Sequence, residues 1–211
     1  MPQRNSLFQN PLAPLPGTDQ AKRGLFIDRF GTLLESPTGK PKSTYRNMQF
    51  IGGALDALFR CTQAGWQVYL IGNESAVAQG HCKDATWTRF EDKMLAEMQQ
   101  AGITVTRCYA CLEDPVNGKG SHLTDSVFLL PNTGAMYHAR QHDGVVLDES
   151  WVIGDSSLEL AAGWRAGCRV AAVQTGLGNQ DSALETEVVF SGATLVDVLD
   201  EILQISEAAQ S

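Results

Sequence analysis

The sequence predicts an α/β fold, a doubly wound three-layer sandwich built on a parallel sheet, and two observations carry that prediction. From Leu25 onward short apolar runs alternate with longer amphipathic stretches, the pattern of strands joined by crossover helices. Three of those runs end in polar residues that a strand packed in a core would not ask for: Asp28 after "LFI", Asn73 after "VYLIG" and Asp155 after "WVIG". In an open α/β sheet the carboxyl ends of the strands face a common crevice, and ligands bind there.

Along the chain, residues 1–23 carry four prolines and no apolar period, and are expected to form an irregular arm. Residues 24–206 read as one domain and 207–211 as a tail. Strands are expected over Leu25–Asp28, Gln67–Gly72, Ile103–Tyr109, Trp151–Gly154, Arg169–Val173 and Glu187–Phe190. Between the first two, Ile51, Ala54, Leu55, Leu58 and Phe59 fall at helical spacing, and Gly65 supplies a stop. Trp87, Phe90, Met94, Leu95 and Met98 repeat that spacing before Gly102, and Leu195, Val198, Leu199, Ile202 and Leu203 repeat it near the end.

Composition narrows the function. Apolar residues at 43% and charged residues at 19% suit a globular domain, and no apolar run is long enough to span a bilayer. The N-terminus lacks the apolar core of a secretory signal, so the cytoplasm is the expected location. A formal charge of -8 without any Lys/Arg run argues against nucleic acid, which leaves a small molecule as the expected ligand. The five cysteines are an odd, scattered set and are expected to be reduced thiols.

Asp155 opens "GDSSLEL". If Ser156 or Ser157 caps the following helix, Glu159 lies one turn on and on the same side as Asp155. Both carboxylates can then reach one hard cation together with Asp28, which makes Mg²⁺ the expected metal. A first-turn acid that complements the helix dipole is the competing reading of Glu159.

With "FIDRFGTLLE", "LIGNESAVAQG", "LLPNTGAM" and "VIGDSSLELAAGWRAGC" in this order and spacing, residues 24 to 175 resemble the haloacid dehalogenase superfamily. Within it they are most similar to the histidinol-phosphate and heptose bisphosphate phosphatases. The resemblance implies a Rossmann-like sandwich with little or no cap domain. It implies Asp28 as the nucleophile that attacks phosphorus, with Thr32 supporting its loop. Asn73 and Ser75 would hold the phosphoryl group, and Asp28, the Phe30 backbone carbonyl, Asp155 and Glu159 would hold Mg²⁺.

Departures from the pattern matter as much. Phe30 stands where the family has the general acid, Gly72 where it has a phosphate-binding Thr or Ser, Glu74 where this branch has Gln, and Leu130 where it has a lysine. Positioned proton transfer is typically worth about 10²- to 10⁴-fold. Asp28, Glu74, Asp155 and Glu159 bring four negative charges against the two of one Mg²⁺, so an entering phosphate is expected to meet a negative pocket. Close like charges repel by about 4 kcal/mol per pair at an effective dielectric near 20. Lys119 is a candidate stand-in for the lysine, and His81, His138 or His142 for the acid.

The family's zinc loop is expected to be absent, because Glu113, Ser126 and Phe128 occupy its ligand positions and only Cys111 remains. Cys108, Cys111 and His122 offer three ligands of a different site, one short of structural zinc. Two function classes stay open: a Mg²⁺-dependent phosphatase of weakened or specialised activity on a small phosphorylated metabolite, and a catalytically inactive relative that binds a metabolite or a protein partner. Dehalogenase-like hydrolysis, suggested by the aromatic Phe30, ranks below both.

Overall fold

A computed structural model of the chain describes residues 21–37, 45, 47–181 and 183–208. Six parallel strands form one sheet in the order β3-β2-β1-β4-β5-β6. They are β1 (Arg23–Asp28), β2 (Trp66–Asn73), β3 (Val105–Cys111), β4 (Trp151–Gly154), β5 (Arg169–Val173) and β6 (Phe190–Gly192). The helices are α1 (Ala54–Gln63), α2 (Ser75–Ala78), α3 (Asp84–Gln100), α4 (Gly134–Asp143), α5 (Ser157–Ala166) and α6 (Leu195–Ala208). No described helix is long and apolar enough to cross a membrane.

Because strand side chains alternate between faces, neighbouring residues of β1 enter different cores. Leu25 and Ile27 pack with Ala54, Leu58, Met94, Val198 and Leu199 under α1, α3 and α6. Phe26 lies on the other face, with Tyr69, Met136, Ala139, Leu160 and Ala162 under α4 and α5. Burial on both faces explains why the central strands read as unbroken apolar runs. The sequence lies as a doubly wound sandwich, as its alternation predicts.

Two expectations shift. The last strand is Phe190–Gly192 rather than Glu187–Phe190. Its ladder with β5 begins only at Ala171↔Phe190, while Glu187 and Val189 stay exposed. The third strand begins at Val105 rather than Ile103, whose N–H instead closes the end of α3 on the Met98 carbonyl. Residues 1–20 of the expected arm and 209–211 of the expected tail lie outside the described residues.

Strand order places the change of winding direction between β1 and β4, whose pairing runs Leu25↔Trp151 to Ile27↔Ile153. Asp28 and Asp155 therefore leave adjacent strands at the same edge. Asn73 ends β2 on the other side of β1.

Candidate active site

Asp155 sits in a cradle made by two loops. A Cβ on Gly31 or on Gly176 would fall 2.2 or 2.0 Å from its Oδ2, so no side chain fits at either place. Thr32, fully buried, donates its hydroxyl to Asp155 Oδ1 at 3.3 Å, and the Leu177 N–H donates to Oδ2 at 2.7 Å. The Asn179 N–H donates to the Asp155 carbonyl at 2.6 Å, so the loop after β5 wraps the start of the α5 segment.

Ser156 caps α5 by accepting from the Leu158 N–H at 3.4 Å, and its hydroxyl donates a short hydrogen bond to Glu159 Oε2. Asp181 accepts from the N–H and hydroxyl of Ser157, a second cap that no sequence pattern announced. Capping by Ser156 puts Glu159 one helical turn after Asp155, as expected.

Asp28, Asp155 and Glu159 are all buried, and all three have raised pKa values. Burial is the largest cause for each. For Asp28 the charges of Glu159 and then Asp155 add to it, against the opposing pull of Arg29. Glu159 is pushed up to about 7, chiefly by burial, with the Ser156 hydrogen bond opposing and the Asp155 charge adding. Mutual repulsion of buried carboxylates is what a bound cation relieves.

Among the described residues, no three His, Cys, Asp or Glu side chains converge closely enough to cage an ion by themselves. A cation here would need main-chain oxygen and water as well, which is how Mg²⁺ is usually held. The oxygen-only donors, their burial and their repulsion fit that ion. Asp28, Asp155, Glu159 and the Phe30 carbonyl are the residues that would hold it.

The β1–β2 side is organised differently, around a residue that sequence reasoning passed over. Arg29, 1% exposed, sends Nε and Nη2 to Glu74 Oε1 at 2.9 and 2.6 Å, and Nη2 also to the Gly72 carbonyl at 3.0 Å. Tyr45 donates its hydroxyl to Glu74 Oε2 at 2.6 Å. Arg29 also lies 5.2 Å from the centre of the Trp87 ring. The expected balance of four negative charges against one Mg²⁺ is thus corrected by a buried cation it left out, Arg29, paired with Glu74.

Phe30 packs on Phe90 and Tyr45 at ring-centroid distances of 5.6 and 6.0 Å. Gly72 adopts φ +145°, and a Cβ there would stand 2.7 Å from Asp28 Oδ1. The missing hydroxyl at that position therefore goes with a strand end that has no room for one.

Other expected residues have separate partners. The Asn73 amide accepts from the Leu130 N–H at 2.9 Å and donates to the Leu130 carbonyl at 3.1 Å, tying the second motif to the third just before the cis Leu130–Pro131 bond. Ser75 opens α2 and is exposed. Lys119 is exposed, with its stem alongside Gly80 and its N–H on the Ala78 carbonyl. Cys108 lies between Arg29 and Glu91, Cys111 against Glu113, and His122 against Asp84, so these three are not brought together. His138 meets the Tyr109 hydroxyl at 3.0 Å and stacks on His142, while His81 is exposed.

This chain is 36% identical over 161 residues to a D-glycero-beta-D-manno-heptose-1,7-bisphosphate 7-phosphatase of Bordetella bronchiseptica, covering 75% of this chain and 84% of that protein. The chain belongs to the haloacid dehalogenase superfamily. Its place there is the D,D-heptose bisphosphate phosphatase branch. A family model described as HAD-hydrolase-like matches residues 130–202 of this superfamily member. A phosphatase of the same name from Pseudomonas putida is 27% identical over 79% of this chain and 92% of its own length. The crystal structure of D,D-heptose 1,7-bisphosphate phosphatase from B. bronchiseptica, complexed with magnesium and phosphate, superposes with a TM-score of 0.75 at 28% identity, covering 87% of this chain and 99% of that one.

Proposed function

We propose that this protein is a Mg²⁺-dependent phosphatase that acts on a small phosphorylated sugar through a covalent aspartyl-phosphate on Asp28. The observation that carries the reading is the group of three buried acids, Asp28 and Asp155 at the ends of β1 and β4 and Glu159 in the first turn of α5, each with a pKa raised by its surroundings. The magnesium and phosphate held by the similar Bordetella phosphatase support the cofactor, and its heptose bisphosphate substrate supports a phosphorylated sugar.

A carboxylate oxygen of Asp28 attacks phosphorus and the P–O bond to the leaving group breaks. Water then attacks the aspartyl-phosphate, releasing inorganic phosphate and restoring the carboxylate. Held by Asp28, Asp155, Glu159 and the Phe30 carbonyl, Mg²⁺ would supply the positive charge that lets Asp28 and an anionic phosphoryl group approach. Thr32 and the Leu177 N–H keep Asp155 turned toward the site. Phe30 has no proton to give, and both Glu74 oxygens are engaged by Arg29 and Tyr45, so the departing oxygen leaves unassisted by either. Leaving groups of low basicity are therefore preferred.

Phosphate release tests this directly, with the purified protein and Mg²⁺ against sugar phosphates, sugar bisphosphates, histidinol phosphate and an aryl phosphate. Turnover that disappears in Asp28→Asn is the expected result. An Asp28→Asn variant as active as the parent overturns the mechanism, and silence across the panel favours a non-catalytic binding role.

A further inference from the structure

We infer that Arg29 is a positioning residue: paired with Glu74, and through it with Tyr45, it fixes the turn that presents the Asp28 carboxylate and the Phe30 carbonyl to the crevice. The inference rests on the metal reading above and adds the residues that aim that site.

Arg29 lies between the two groups it would position, so any movement of its Cα moves both. Its guanidinium is buried, and three of its hydrogen bonds end on the second motif: two on Glu74 and one on the Gly72 carbonyl. β1 and β2 are already paired through Asp28↔Ile71, and the fork extends that coupling past the last ladder position. Two guanidinium nitrogens that converge on one carboxylate oxygen, with one of them also on a carbonyl, set orientation as well as distance, which an ammonium group does not.

Glu74 in turn is held from its far oxygen by Tyr45. Tyr45, Trp87 and Phe90 form a mutually packed aromatic group with ring-centroid distances of 5.2 to 5.8 Å, and Phe30 lies against two of its members. Both residues that follow the nucleophile are therefore fixed on the same wall, Arg29 by charge and Phe30 by ring packing. The Gly31 N–H donates to the Leu34 carbonyl at 2.8 Å and the Leu34 N–H donates to the Arg29 carbonyl at 2.7 Å, which closes the turn behind them. A general acid at position 30 would have to leave this wall to reach a substrate, whereas the backbone carbonyl of Phe30 needs only the turn to be held.

The pair also carries a charge consequence. Glu74 stands at the end of β2 beside Asp28, and without Arg29 it would add a fourth anion to the crevice. Arg29 therefore does two separable things, neutralising Glu74 and shaping the turn.

Binding of Mn²⁺ as a Mg²⁺ substitute, followed by electron paramagnetic resonance, separates these roles without reference to turnover. Arg29→Lys keeps the charge and loses the fork, and the Arg29→Met/Glu74→Gln double variant keeps neutrality and loses both. Each is expected to bind Mn²⁺ at least about tenfold more weakly than the parent, the scale of removing a group that orients a ligand. Tyr45→Phe, which removes one hydroxyl and keeps the aromatic packing, is expected to fold and to weaken Mn²⁺ binding, by less than Arg29→Lys does because Arg29 still holds Glu74. Variants that bind Mn²⁺ as the parent does overturn the positioning role and leave the metal site standing. A parent protein that binds no Mn²⁺ overturns the metal reading and this inference with it.

Discussion

The two halves of the crevice treat buried charge in opposite ways. On the β1–β2 side Glu74 has Arg29 and Tyr45 within hydrogen-bonding distance, and the carboxylate is satisfied by the protein alone. On the β4 side Asp155 and Glu159 have neutral donors, two from Thr32 and Leu177 and one from Ser156, and among the described residues no cation is a hydrogen-bond partner of either. Buried charges are tolerable when paired and costly when not. One half is satisfied by the protein's own charges, and the other is left for the proposed cation to complete.

The largest effect comes from unpairing the finished half. Arg29→Met leaves the Glu74 carboxylate buried at 3% exposure with a hydroxyl for company. Removing one partner of a buried ion pair costs about 3 to 5 kcal/mol, which for a domain of this size lowers the melting temperature by on the order of 10 °C. Adding Glu74→Gln to Arg29→Met should recover much of that loss, since the orphaned charge is then gone. A thermal melt of the two variants in the absence of metal checks both statements, and equal melting temperatures would show that the pair carries little energy.

The same operation on the unfinished half should have the opposite sign. Glu159→Gln removes a charge that burial and Asp155 disfavour while keeping an oxygen that can accept from Ser156. Metal-free protein should gain about 1 to 2 kcal/mol at neutral pH. Because the folded-state pKa of Glu159 is raised to about 7 from an ordinary 4.5, its protonated form supports the fold fully below the ordinary value, and that support is lost as pH rises through about 7. The gain over the parent should therefore shrink toward zero in acid. Saturating Mg²⁺ should narrow the difference again, by stabilising the parent more. Denaturant titrations with and without Mg²⁺ at two pH values measure all of this, and a Gln variant less stable than the metal-free parent would mean that Glu159 is already compensated.

Why the acid side was legible in the sequence and the paired side was not follows from the same contrast. Asp28 and Asp155 stand out because each terminates an apolar run, and period and position alone bring them to one edge of a parallel sheet. Glu159 is placed by helix spacing once a serine caps α5. Arg29 offers no such signal, since an arginine beside a strand end is by default a solvated charge, and its partner lies 45 residues away on the next strand. The one available hint was Glu74 itself, an acid where the branch has a neutral residue. Gly176, Leu177 and Asp181 were invisible for another reason: they act through backbone groups and a close approach, in a loop without periodicity. Helix α4 was missed because its buried face is Ala135, Met136 and Ala139, too small a stripe to stand out between Gly134 and Asp143.

A third acid shows what ordinary pairing at the molecular surface is worth, and it is the smallest effect. At the opposite end of α4, Asp143 receives both forks of Arg107 at 2.8 and 2.7 Å and the Tyr69 hydroxyl at 3.2 Å. The Arg107 hydrogen bonds hold its pKa below the usual carboxylate value, against the opposing pull of burial. A folded-state pKa that is lowered contributes stability above the unfolded value and loses it as pH falls through the folded one. Asp143→Asn should therefore be slightly less stable than the parent at neutral pH, by less than about 1 kcal/mol because Arg107 is partly solvated, and indistinguishable from it in strong acid. That is the reverse of the pH course expected of Glu159→Gln. If both variants instead follow the same course, pairing to a guanidinium is not what separates satisfied acids from unsatisfied ones here, and the division of the crevice into a finished and an unfinished half fails with it.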